Sequence, residues 1–313
     1  MDFSFSEVQQ ELRAQARKWV RNRYPLERAH EVALTEAGWD ESTWAELAQL
    51  GWLGVSAPEE AGGAGLSFLE EAVLFEELGY ALYSGPFLVT ALALPALEPH
   101  KLQSATSGEE RWSIEVDGLV PELGRVDRVL TDDGAFAAAG DSLPTTDVTR
   151  PLGRLRRGDA DGAARFDRAR LHAALALEAL GVAQRALDLA VEHAKTREQF
   201  GRPIGVYQAV SHQLASSYVD VELARSLAYW AAWAVAEAEP AAALAAAAAK
   251  AHATEAAALA CERSIQVHGG IGFTWEHPLH LFYKRALWLE TFGGRPAEHR
   301  RRVAAELLDA PAT

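Results

Sequence analysis

From Ala169 to the end the sequence is helix-periodic almost without interruption, and this half constrains the fold more than any other feature. Leu180, Ala183, Leu187, Ala190, Val191 and Ala194 recur on one helical face, and Pro203 breaks the pattern afterwards. A second long helix is expected from about Val206 to Glu237. A third is expected from Ala241 to about Val267, behind Pro240, a residue suited to a helix start. The last runs from about Pro278 to Leu289, with a short helix after Pro296. Long helices poor in glycine, with small residues inside, pack as an antiparallel bundle. The alanine run at 245–249 reads as close helix packing within it.

The first hundred residues are also helical in pattern. Leu12, Ala16, Trp19 and Val20 share a face from about Ser6. Asp40 is an N-cap candidate for a helix carrying Trp44, Leu47 and Leu50, stopped by Gly51. Residues 56–65 form a loop by their Pro and Gly content, and a third helix carries Leu69, Val73, Leu74 and Leu78 to Gly79. Between them and the bundle, Trp112–Val116 and Val126–Thr131 favour strands, with Asp117-Gly118 and Asp133-Gly134 as hairpin turns. The expected architecture is mainly α with a small β domain: helical domain 1–103, reduced β domain 104–167, helical bundle 168–313. About 60 residues is near the low end for an independent core, so the β domain is expected to lean on the helices.

The chain has 313 residues, 49% hydrophobic, a net charge of −14 and no basic stripe, which disfavours a nucleic-acid partner. The single cysteine, Cys261, allows no intrachain disulfide and reads as a small buried residue. Asp2 and Glu7 stand where a signal peptide would be basic and apolar, and Glu237, Glu239 and Pro240 interrupt the most apolar region. A cytoplasmic protein with no membrane insertion is expected. His268, His277 and His280 lack partners at metal-like spacing, so no metal site is read.

Two stretches carry chemistry. Arg197-Glu-Gln-Phe-Gly-Arg-Pro-Ile-Gly-Val-Tyr-Gln208 ends one long helix and turns into the next. Arg197 can bridge phosphate oxygens, and Phe200 and Tyr207 can pack on a planar ring; equally, Lys195 and Arg197 suit a helix C-terminus. Gln266-Val-His-Gly-Gly-Ile-Gly-Phe273 offers glycines at Gly269, Gly270 and Gly272 for close backbone approach, or simply a glycine-rich C-cap.

In motif and order the two stretches together resemble the acyl-CoA dehydrogenase family. Glu46–Gly54, the loop Pro58–Gly65, Phe75-Glu-Glu-Leu-Gly79 and Ala183-Gln-Arg-Ala-Leu187 carry the resemblance further. It implies an N-terminal helical domain, a middle β domain and a C-terminal four-helix bundle. It also implies FAD at a subunit interface, with Arg197, Gln199, Phe200, Tyr207, Gln208, Gln266, Gly269 and Gly270 directed at the diphosphate and adenosine end of the neighbour's flavin.

The half-site that a subunit builds for its own flavin is where the chain departs from the family. Where the family has a Glu-Gly-Thr turn bearing the base, this chain reads Phe292-Gly293-Gly294. A second family base position falls on or near Arg170. No catalytic residue is assigned; Glu290 is a weak candidate, Glu178 lies in the first bundle helix, and His172 can face the vestigial site. The resemblance is to the smaller, degenerate subunit of α2β2 actinobacterial steroid-CoA dehydrogenases. That implies a catalytic acyl-CoA dehydrogenase subunit as partner, an acyl-CoA substrate with a bulky sterol side chain, and electron-transfer flavoprotein as acceptor. The other readings are a self-sufficient homo-oligomer using Glu290 and a scaffold with relic motifs.

Overall fold

The computed structural model describes residues 4–162 and 165–308. The N-terminal helices are α1 (Glu7–Arg23), α2 (Leu26–Ala33), α3 (Ser42–Gln49), α4 (Phe68–Tyr80), α5 (Phe87–Ala93) and α6 (Pro99–Thr106). Ser6 starts α1 through a reciprocal capping box with Gln9, and Ser67 does the same for α4 with Glu70. Asp40 accepts from the Ser42 backbone and hydroxyl before α3. Trp44 and Leu47 are buried, but Leu50 is exposed, because the chain turns at Gly51 in a left-handed conformation. The sequence reading does not include α2; α6 crosses the expected boundary at 103/104, and α5 is buried on every side and so has no polar face.

The β region holds β1 (Trp112–Ile114), β2 (Val120–Pro121), β3 (Arg128–Thr131), β4 (Gly134–Ala137), β5 (Gly140–Leu143) and β6 (Leu152–Leu155). They form two three-stranded sheets, β1-β3-β4 and β2-β6-β5, with β1 parallel to β3. Asp117 and Gly118 both have positive φ, as a tight hairpin turn requires. At the other hairpin Thr131 pairs with Gly134, so the turn is Asp132-Asp133 and Gly134 is already strand. Trp112, Ile114, Val116 and Leu130 join the main helical core, while Val120, Leu123 and Val129 make a small core of their own.

The bundle consists of α7 (Arg168–Thr196), a two-residue hairpin β7 (Glu198–Gln199) and β8 (Arg202–Pro203), α8 (Gln208–Ala236), α9 (Ala242–His268), α10 (Leu279–Thr291) and α11 (Pro296–Leu308). Asp167 caps α7 by accepting from the Ala169 backbone. Ala245, Ala246, Ala247 and Ala249 are fully buried, letting α9 pack closely on its neighbours. At Gly181 a Cβ would lie 2.0 Å from the Glu76 carbonyl, so α4 and α7 touch backbone to backbone. Among the described residues, no helix is long and apolar enough to cross a membrane.

Candidate functional site

Helices α7 and α9 end at the same side of the bundle, which brings the two motif stretches together. The His193 ring, one turn before Arg197, stacks on His268 at 4.3 Å, and Val267 packs with Ala190 and Ala194. Beyond α7 the chain leaves in extended backbone at Arg197 and reverses through Phe200 and Gly201, both left-handed. Beyond α9, Gly269 takes φ 67° and ψ −143°, a region essentially reserved for glycine.

This end presents donors without partners. Among the described residues, the side chains of Arg197, Gln199, Gln208 and Gln266 make no hydrogen bond or ion pair, and all four residues are exposed. Open space lies where a Cβ on Gly269 or Gly270 would sit. Phe200 is 93% exposed, and Tyr207 is half-buried, donating to the Gln199 carbonyl at 3.2 Å beneath the Arg202 guanidinium. A free guanidinium, three free amides and two unshielded glycines are a donor set suited to a diphosphate. The structure therefore fits FAD here through its phosphates.

At the far end of α10, Gly293 and Gly294 both have positive φ. A Cβ on Gly293 would meet Leu175, Leu171 and His172 of α7 at 3.4, 3.7 and 3.8 Å. Around this turn stand basic side chains together with the Glu298 carboxylate, 3.3 Å from where a Cβ on Gly294 would lie. Lys250 donates to the carbonyls of Leu289 at 2.6 Å and Gly294 at 3.2 Å, capping α10. Burial pushes its ammonium down to about 7, opposed by Glu290 and Glu298. His172 meets His299 edge-on at 4.5 Å, and burial, then the neighbouring cations, push His172 down to about 3. Arg170, at the second family base position, is ion-paired to buried Glu71 and donates to Ser56 at 2.7 Å. Glu290 faces elsewhere, lining an open groove with Glu255, Arg295 and Arg300.

The sequence reading missed the junction between the β region and the bundle. Arg285 of α10 donates to Asp147 at 2.7 Å, Glu178 at 2.6 Å and the Thr149 hydroxyl at 2.6 Å, and is fully buried. Arg150 shares Glu178 and approaches Glu122, which also holds Arg125 at 2.8 Å. Burial acts against the Arg285 cation, but Asp147 and Glu178 hold its pKa above the ordinary value. Both guanidiniums sit on Oε1 of Glu178, while its Oε2 is buried without a hydrogen-bond partner. The pocket beside Arg150 and Glu178 has a volume of about 10 Å³, too small for an acyl chain. The sequence signal was Arg285 itself, an arginine among the buried positions Leu281, Phe282, Ala286 and Leu289.

A helical head, a small β middle and a bundle with unpartnered donors at one end define a flavoprotein dehydrogenase scaffold. Residues 6–99 match the acyl-CoA dehydrogenase N-terminal domain and residues 162–308 the acyl-CoA dehydrogenase C-terminal domain. Acyl-CoA dehydrogenase IpdE2 of Mycobacterium tuberculosis is 35% identical over 300 residues, covering 88% of this chain and 90% of its own. The chain therefore belongs to the acyl-CoA dehydrogenase family, FAD-dependent oxidoreductases acting on the CH–CH bond of acyl-CoA. Among solved structures, the ChsE4-ChsE5 complex from M. tuberculosis matches with a TM-score of 0.87 at 29% identity, covering 100% of both chains. The Tcur3481-Tcur3483 steroid ACAD G363A variant matches with 0.86 at 27%, covering 98% of this chain and 99% of that one.

Proposed function

We propose that this chain is the non-catalytic subunit of a heteromeric acyl-CoA dehydrogenase and holds, in trans, the diphosphate and adenosine end of its partner's FAD. The observation that carries the reading is an asymmetry. The outward-facing donors Arg197, Gln199, Gln208 and Gln266 are free, while the inward positions for a base are Gly293 and a paired Arg170. Arg197 offers a bidentate fork to phosphate oxygens, and Gly269-Gly270 lets backbone approach the same group. Phe200 and Tyr207 line the adenosine side. FAD held here would supply the hydride acceptor for α,β-dehydrogenation of the thioester, and a carboxylate of the partner would take the α-proton.

Similarity to a chain of the Tcur3481-Tcur3483 steroid ACAD supports a sterol-derived acyl group, held by the partner. An electron-transfer flavoprotein as acceptor and a cytosolic location belong to the same reading. The domain division at 103/104 and 167/168 is proposed with it. The test is the flavin content of the native assembly and of its Arg197→Ala variant. One FAD for each pair of unlike chains, lost in the variant, supports trans holding. One FAD per chain in a homo-oligomer overturns it, and an intact holoenzyme with Arg197→Ala favours a scaffold.

A further inference from the structure

Half of the chain's ten histidines gather under the two motif stretches. His268 is the centre: its ring stacks on His193 of α7 at 4.3 Å and meets His277 at 4.7 Å, with Nδ1 on the Ser264 carbonyl at 2.8 Å. His277 accepts from the Leu279 backbone at 3.2 Å, fixing the loop into α10. The residue after His268 is Gly269, and Arg197 donates its backbone N–H to His193 at 2.8 Å. The three rings therefore form one contact series joining the Arg197 stretch, the glycine turn and the start of α10.

Resting on the trans-holding reading, we infer that His268 is a positioning residue, setting the separation of the Arg197 stretch and the Gly269-Gly270 turn through ring contacts with His193 and His277. The charged groups facing the series are Arg197 at the end of α7, His30 from α2, and His280 with Lys284 on α10. All are cationic or become so on protonation, and Nε2 of both His30 and His280 is buried without a partner. The rings are thus packed in the neutral state; burial first, then each other, push His277 down to about 4 and His193 below its usual value. Protonating two rings in contact drives them apart and moves both halves of the flavin site.

The test follows flavin fluorescence of the native complex as pH is lowered, at pH values where far-UV CD is unchanged. Wild-type retention is expected to fall by more than about tenfold per pH unit below neutrality, because more than one proton is taken up on release. His268→Leu is expected to weaken retention several-fold at slightly alkaline pH and to flatten the acid loss to about tenfold per unit or less. Should that variant fail to assemble, His268→Gln carries the same expectation. An acid profile unchanged by the substitution overturns the inference. Arg197→Ala separates the two readings: flavin kept there sinks trans holding itself. Flavin lost there, with a wild-type acid profile at His268→Leu, sinks only the positioning role.

Discussion

Arg285 donates its Nε to Asp147 at 2.7 Å with neither side chain exposed to solvent, tying α10 to the loop between β5 and β6. The same guanidinium reaches Glu178 on α7, so one side chain joins the β region to two bundle helices. The junction between the β region and the bundle is thus closed and charged.

Removing Arg285 leaves Asp147 without its ion pair and Glu178 short of one. Arg285→Leu is expected to cost about 3–5 kcal/mol, the usual penalty for breaking a buried pair from one side. Urea unfolding measures it; a loss below about 1 kcal/mol would show the network to be nearly neutral in energy.

His172 makes the fold acid-sensitive. Its pKa is lowered from 6.5 to about 3 on folding, so between those values the unfolded chain binds a proton that the native chain does not. Native stability is free of this penalty above 6.5 and falls as pH drops below it, by up to about 1.4 kcal/mol per unit. His172→Leu should reduce that slope by one proton, read from urea midpoints across the window. Parallel slopes for the two proteins would rule out this proton linkage.

Gly269 and Gly270 separate strain from grip. Gly269→Ala forces a side chain into φ 67°, ψ −143°, and should cost about 1–3 kcal/mol although nothing lies near its Cβ. Gly270 lacks a positive φ and its Cβ would also meet open space, so Gly270→Ala should melt within about 1 °C of wild type. On the proposed trans-holding role it should still weaken flavin retention, because the methyl group would intrude on the space offered to the diphosphate. Thermal melts and flavin content of the complex check both halves.

Cys261 is fully buried in α9, and burial pushes its thiol pKa up. A thiol reagent such as Ellman's should leave the native chain unlabelled over hours and label one thiol per chain after denaturation. Rapid native labelling would mean that α9 opens locally.

The bundle was legible because its signals are local. Ser6, Pro240 and the small residues at 245–249 each act within a few positions, and helices of 27–29 residues repeat the pattern often enough to be read. α5 was not legible, since burial on all sides leaves no periodicity, and the hairpin at 132–133 was misread by one residue because Gly134 serves as strand. At the site, the motif residues stood out by type and spacing, but their assembly at one end of the bundle depends on α7 and α9 running side by side.

What the sequence by itself determined was therefore the helical halves, the small β middle, the family and the glycines at 293 and 294. Tertiary structure decided that Glu178 is locked between Arg150 and Arg285, that Arg170 is held by Glu71, and that His193, His268 and His277 meet. Apart from His268 and His277, nine residues apart, these are pairings across tens to more than a hundred residues of chain, between groups with ordinary local context. Their energies come from desolvation and contact, which exist only once distant helices are packed.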